Sequence, residues 1–583
     1  MTAGVSGKRE TYAAEKITPR VVSYVKNAFY GRDALKTVCP PSKIGELALA
    51  DAGAGSVVKA KCSASGVDVF RVGRSIYALN ASDGVRCVQQ NCFAANSDTV
   101  MFHDDGAFYM TDGNRLLTVS DALVYGTASP YIPTVLKFTS ATSPVGTECE
   151  KPNALSDCVN FEYSISESTD IVYLPSSVKL ASVVSVKYKN GTPYSGTCTL
   201  VTQPMTTTLG FTPAISGNFI VTLRLGTSAD ASVLSLSTFA DVRNALYSAT
   251  RIAVLCPGIP GMRKTLILTA GDKLFALGMT DGLYVTPDAM ISASVGEEVT
   301  ALLNYSDGAL VFTPSGVIYA SPTGSGISDA GIVMKTVKRD FGCDMPQSAV
   351  GFDDKIFFAN SKGGIYYIDK FGLTERDGSC HVSTLIDGEL LANTPSALTA
   401  AVACADGTSY YLSVGGLIYV WNYGGGRPSS PDVSEDAKLG YVFSRLDSVD
   451  AGDFVAVRGG RVYMIEKTTG YIYRFDENAA APSASEIGTE IETYPLDLGT
   501  PHEKVMTRLL VSAKLASGAT VRVYFDGVES KSAYTLTKPT LDGVCSFIIK
   551  PERHKFRSVK LKITATRPLT LCGVEATFSK TGI

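Results

Sequence analysis

Histidine is scarce in this chain: four in 583 residues, at 103, 381, 502 and 554, and none stands at metal-ligand spacing from another histidine or a cysteine. The His-Glu-x-x-His pattern of zinc hydrolases is absent, so no metal site is expected. Thirteen cysteines occur, but no Cys-x-x-Cys pair exists. An odd, scattered set reads as buried reduced thiols, with Cys87 and Cys92, or Cys149 and Cys158, near enough in sequence to bridge. No apolar run approaches the ~20 residues a membrane helix needs. The opening "MTAGVSGKRETYAAEKITPR" lacks the apolar centre of a signal peptide, which predicts folding in a cytoplasm. Charge of one sign is also lacking: the formal net charge is -3, so no global basic field advertises nucleic-acid binding. "GIPGMRKT" at 258 fails the phosphate-loop spacing, and no Gly-x-Ser-x-Gly elbow or Ser-x-Asp-x-Gly-x-Thr-Trp turn is present.

What the chain does have is a repeated phrase. "KLFALGMTDGLYV" at 273, "ALVFTPSGVIYA" at 309, "KIFFANSKGGIYYI" at 355, "SYYLSVGGLIYVW" at 409 and "RVYMIEKTTGYIYRF" at 461 each join two β-rich runs through a glycine turn. Weaker copies are "VDVFRVGRSIYAL" at 67 and "AFYMTDGNRLLTV" at 107. The turn glycines are Gly73, Gly113, Gly282, Gly316, Gly364, Gly416 and Gly470, separated by 40, 169, 34, 48, 52 and 54 residues. All gaps but one suit a four-stranded blade, so an all-β, six- or seven-bladed β-propeller is expected.

The long gap carries its own strand pattern. "VVSVKYKNGTPYSGTCTLV" holds an Asn190-Gly191 turn, and Phe219, Val221, Leu223 and Leu225 alternate with other positions, which predicts an inserted β-sandwich. "SLSTFADVRNALYSA", 235–249, is the best helix candidate. Near the C-terminus, Val521, Val523 and Phe525, then Val559, Leu561 and Ile563, alternate similarly and predict a second sandwich. The expected boundaries are an N-terminal arm over 1–55, blades over 56–130, the insertion over 131–230, further blades over 231–485 and the C-terminal sandwich over 486–583. The arm is expected to contribute an extra strand that helps close a ring.

Chemistry is thin. Asp307, Asp353 and Asp354 sit in hairpin turns, where Asp bonds its own backbone. The strongest charge feature is "KPERHKFRSVKLK", giving Lys550, Arg553, Lys555, Arg557, Lys560 and Lys562 as candidate contacts to DNA phosphates or to a neighbouring subunit; the plain alternative is a solvated basic strand face. No catalytic residue, cofactor site or metal site is expected, and the chain reads as a non-enzyme. Two other readings remain open: a glycan-binding or glycan-cleaving propeller, which needs acidic or aromatic loops to converge on one face, and a peptide-binding scaffold propeller.

Several stretches together resemble a family. "PYIPTV" at 130, "GEEVTALLNYSDGALVFTPSGVIYA" at 296, "FGCDMPQSAVGFDDKIFFANSKGGIYYI" at 341 and "EIETYPLDLGTPHEKVMTRLLV" at 490 are similar, in that order, to bacteriophage propeller proteins of the packaged-DNA stabilisation, tail-hub or tail-nozzle type. The resemblance covers most of 60–583 and leaves the first fifty residues unmatched. It implies a virion protein of the tail or neck, assembled in a bacterial cytoplasm. It further implies a homo-oligomeric ring, expected to be a hexamer, next to a portal, adaptor or other tail proteins, with packaged DNA passing through the lumen and no catalytic residues to carry over.

Overall fold

Val, Ile, Tyr and Thr dominate the repeated runs, and their branched or aromatic side chains fill pleated surfaces better than helix faces. The chain follows that preference almost throughout. A computed structural model describes residues 22–30, 34–48, 51, 58–94, 97–203, 206–324, 327–353, 355–368, 379–423, 443–447, 449–458, 460–476, 479, 481–483, 485–497, 502–537, 543–552 and 554–580. The chain divides into two units, one of residues up to 92 with 314–317 and 337–583, the other of 93–313 with 318–336.

In the first unit the repeated phrase forms the middle hairpin of four-stranded antiparallel meanders. One meander is Val58–Ala64, Val67–Val72, Ser75–Leu79 and Val85–Gln89. Another is Val350–Phe352, Lys355–Asn360, Gly364–Ile368 and Ser379–His381. A third runs Val402–Ala405, Ser409–Val414, Leu417–Asn422 and Phe443–Leu446. The last is Ala451–Arg458, Arg461–Glu466 and Tyr471–Asp476, and its fourth strand is the N-terminal Ser42–Glu46. Central strands such as Ser75–Leu79 and Ser409–Val414 are buried at every position, and in the latter case a neighbouring meander covers each face. One core joins Phe357 and Ile365 to Tyr410 and Tyr419; another joins Tyr411 and Val420 to Phe454 and Val462; a third joins Tyr463 and Ile472 to Phe70 and Tyr77. Each such aromatic or branched side chain contributes about 2 kcal/mol on burial.

The third meander of this unit continues into a ten-stranded sheet. Val22–Lys26 pairs in parallel with Phe443–Leu446 on one side and antiparallel with Thr489–Thr493 on the other. The sheet then passes through Val559–Ala565 to Ala519–Phe525. A second sheet, built from Ala28–Tyr30, Leu35–Thr37, Leu569–Lys580, Lys504–Leu515 and Cys545–Ile549, shares its core, in which Val521, Val523, Leu561 and Ile563 meet Leu509, Val511 and Leu571. The expected alternation at 521–525 and 559–563 is present. The N-terminal segment from 22 to 46 is woven into these sheets; the first 21 residues of the expected arm lie outside the described residues.

The second unit holds meanders Met101–Asp104, Ala107–Thr111, Leu116–Ser120, Tyr125–Thr127; Arg251–Leu255, Lys264–Ala270, Lys273–Met279, Met290–Ser294; and Ala301–Tyr305, Gly308–Phe312, Val317–Thr323, Gly331–Lys338. Between the first and second of these stands a six-stranded sheet of Thr134–Phe138, Thr147–Glu148, Cys158–Leu174, Leu180–Tyr188, Thr197–Thr202 and Thr207–Leu225. It is one hydrogen-bonded sheet, not two. Register shifts between Ile165 and Ile171 divide its two longest strands, yet both halves bury into one core, Phe161, Tyr163 and Phe219 with Val172, Leu209 and Phe211. The expected helix is a 3-10 turn, Leu236–Phe239, running into Ala240–Tyr247, whose Val242 and Leu246 join that core.

Six of the seven turn glycines have positive φ, from +56° at Gly73 to +91° at Gly113, where a side chain is strained. Gly316 is not among them.

Candidate functional site

The basic stretch does not form one face. Lys555–Phe556 pairs with Lys504 and Val505 in one C-terminal sheet, whereas Lys560 and Lys562 lie on Val559–Ala565 in the other. On that strand the branched residues point inward and the lysines outward, opposite "EIET" on Thr489–Thr493. Lys560 Nζ is 2.5 Å from Glu492, and Lys562 Nζ is 2.5 Å from Glu490 and 2.9 Å from Glu492. Burial works against the Glu492 carboxylate, but hydrogen bonds from Lys560 and Lys562 hold it below the usual carboxylate range. The hydrogen bond to Glu490, against some burial, holds the Lys562 ammonium above its ordinary value. These two lysines therefore spend their charge inside the chain. Lys555 lies 3.9 Å from Glu503, and Arg557 donates its backbone N–H to Asp526. Lys550 and Arg557 are exposed, and Arg553 lies outside the described residues.

A second constellation gathers around Gly364, and "CHVSTLID" at 380–387 was its unread signal. Ser383 is fully buried; its Oγ accepts the Ile365 N–H at 2.7 Å and donates to Asp387 Oδ1 at 2.5 Å. His381 Nε2 lies 3.2 Å from Ser383 Oγ and 3.0 Å from Asp387 Oδ2. A Ser-His-Asp triad uses different imidazole nitrogens for nucleophile and carboxylate. Here one nitrogen faces both, and the serine gives its proton to the aspartate. The group is a staple that ties the 361–364 turn to the short helix Asp387–Leu390. Tyr366 stacks over His381 at 5.2 Å and continues to Phe358 at 5.4 Å and Phe341 at 5.7 Å.

No protein-family model matches the chain, and no curated protein matches it. Solved structures that match include a streptogramin B lyase (10% identity, TM-score 0.35, covering 75% of this chain and 97% of that one). Saccharomyces cerevisiae Sqt1 matches at 9% identity and TM-score 0.34, covering 75% of this chain and 100% of that one. The N-terminal domain of Nup159 matches at 9% and 0.30, covering 78% and 98%. Scores of this size carry no argument about activity, and the meanders themselves must carry the architecture.

The remaining candidates serve turns and cores. Asp307 accepts a hydrogen bond from Tyr319 Oη, which holds its carboxyl below the usual range. Asp353 sits in a hairpin at φ +52°, and Asp354 lies outside the described residues. Trp421 is buried among Phe357, Tyr367, Tyr423 and Phe443. Among the described residues, no group of three or more His, Cys, Asp or Glu is placed to hold a metal, and no helix is long and apolar enough to cross a membrane.

Proposed function

We propose that the chain is a structural subunit of a phage tail or head-tail connector, a hub, nozzle or stopper ring that helps form or gate the DNA exit channel. In this reading the seven meanders are blades of one seven-bladed propeller. Ser42–Glu46 supplies the final strand that closes it, the six-stranded sheet is a sandwich-like insertion, and the C-terminal pair of sheets is a second sandwich. The observation that carries the reading is the ten-stranded sheet, which continues a meander through Val22–Lys26 into the C-terminal sheets and makes a stiff block of them. A stiff block suits a ring that must keep its bore while DNA passes. The net charge of -3 also suits a lumen that should not grip phosphates. The ordered resemblance of 296–320, 341–368 and 490–511 to phage propeller proteins supplies the virion context.

The test is electron microscopy of purified particles with this protein labelled, together with its reconstitution alongside neighbouring virion proteins. A ring of copies on the particle axis is the expected result. Free monomer only, absent from purified virions, would overturn the proposal. Hydrolysis or specific retention of host surface polysaccharide would replace it with the glycan reading.

A further inference from the structure

The first strand of the last meander, Ala451–Arg458, lies against the first strand of the meander nearest the N-terminus, Val58–Ala64. Asp453 sits at that junction with a relative exposure of 5%. Its Oδ2 accepts the Val58 N–H across the junction at 2.8 Å, and its Oδ1 accepts the N–H of Phe454 at 2.7 Å. The cation nearest to hand, Lys61 of the opposite strand, does not pair with it but donates to the Phe454 carbonyl at 2.9 Å. From the neighbouring meander Cys404, wholly buried, and Asp406 add no positive charge. Charges on the other elements packed there are engaged elsewhere: Asp68 with Arg458, Arg461 with Asp83 and Asp476, and Glu466 with Thr468 and Thr469. A carboxylate held by two backbone N–H groups, with no ion pair among the described residues, is thus enclosed at a contact between two sheets. An enclosed charge of this kind is costly and its neutral form is not.

We propose that this junction is a proton-tightened latch, in which proton uptake by Asp453 secures Val58–Ala64 against Ala451–Arg458 and proton loss loosens it. Burial raises the Asp453 carboxyl to about 6, against partial relief from Lys61 and the two N–H donors. A group that binds its proton more tightly in the closed state than in the open one favours closure as pH falls. The tightening therefore develops as pH drops through 6 and is complete below the ordinary carboxylate value.

Amide hydrogen exchange of the full-length chain, corrected for the intrinsic pH dependence, reads this at Val58 and Phe454. Protection about tenfold greater at pH 5 than at pH 8 is expected in the native protein, with no trend in Asp453→Asn. Flat native protection, a trend of opposite sign, or an equal trend in the Asn variant would overturn the latch. Should Asp453→Asn fail to fold, Lys61→Met decides. Loss of that cation must move the midpoint of the native protection curve to higher pH, and an unmoved midpoint overturns the proposal.

Discussion

Gly364 and Gly416 occupy the same turn in successive meanders of one unit, at φ +82° and +84°, yet they meet different neighbours. A Cβ on Gly364 would collide with Asp387 and Ser383 and stand 2.8 Å from His381 Nε2, whereas a Cβ on Gly416 meets nothing within 4 Å. Gly416→Ala should therefore cost only the backbone strain, about 1 kcal/mol, while Gly364→Ala adds a broken staple and should cost about 3 kcal/mol or more. Denaturant unfolding of the two variants side by side checks this; equal losses would mean that the staple contributes nothing. Tyr163 offers the opposite case. Its ring stacks between Phe138 and Phe219, and its buried hydroxyl has no hydrogen-bond partner in the described structure. Tyr163→Phe should raise stability by about 1 kcal/mol, read as an upward shift in the unfolding midpoint.

At the level of elements, the ladder of Glu490 and Glu492 against Lys560 and Lys562 fixes how Thr489–Thr493 sits on Val559–Ala565. Lys562→Glu places like charges across the strands and should cost about 1–2 kcal/mol, and adding Glu490→Lys, which restores an opposite-charge pair and leaves Lys560 with Glu492, should recover part of the loss. Thermal unfolding at low and high salt checks it, because the penalty must shrink as salt screens it. Much of this level was legible in the sequence. The glycine spacing located the middle hairpin of six meanders, and alternation at 219–225, 521–525 and 559–563 located buried faces, because local turn geometry and the two-residue period are written residue by residue. In the meander that begins at Arg251–Leu255 the middle hairpin closes between Ala270 and Lys273, and Gly282 falls after the third strand. What the basic run would touch was not legible. Its partners lie some seventy residues away, and only strand register brings "EIET" opposite "LKIT" and so within reach of Lys560 and Lys562. His381, Ser383 and Asp387 were overlooked for a related reason: their meaning depends on a glycine turn that precedes them by about twenty residues.

At the scale of the whole molecule, the ends of the chain belong together. Val22–Lys26, Leu35–Thr37 and Ser42–Glu46 each pair with strands from residues beyond 440, and Ala28–Tyr30 pairs with Leu35–Thr37. Hydrogen exchange of 22–46 should accordingly track that of 489–580 and not that of 101–127; early, independent exchange of the N-terminal strands would contradict it. Removing residues 1–46 should leave Tyr471–Asp476 and Phe443–Leu446 as bare edges and increase aggregation relative to the full chain, checked by size-exclusion chromatography. The weave also imposes an order in time. Val22–Lys26 and Ser42–Glu46 have no partners until more than four hundred further residues have been made, on the order of tens of seconds at ordinary synthesis rates. Throughout that interval Val22–Lys26 and Ser42–Glu46 are unclaimed edge-forming segments. Closure of these sheets therefore waits until strands beyond residue 440 reach those before residue 47, and it should depend on cellular factors that shield nascent strands.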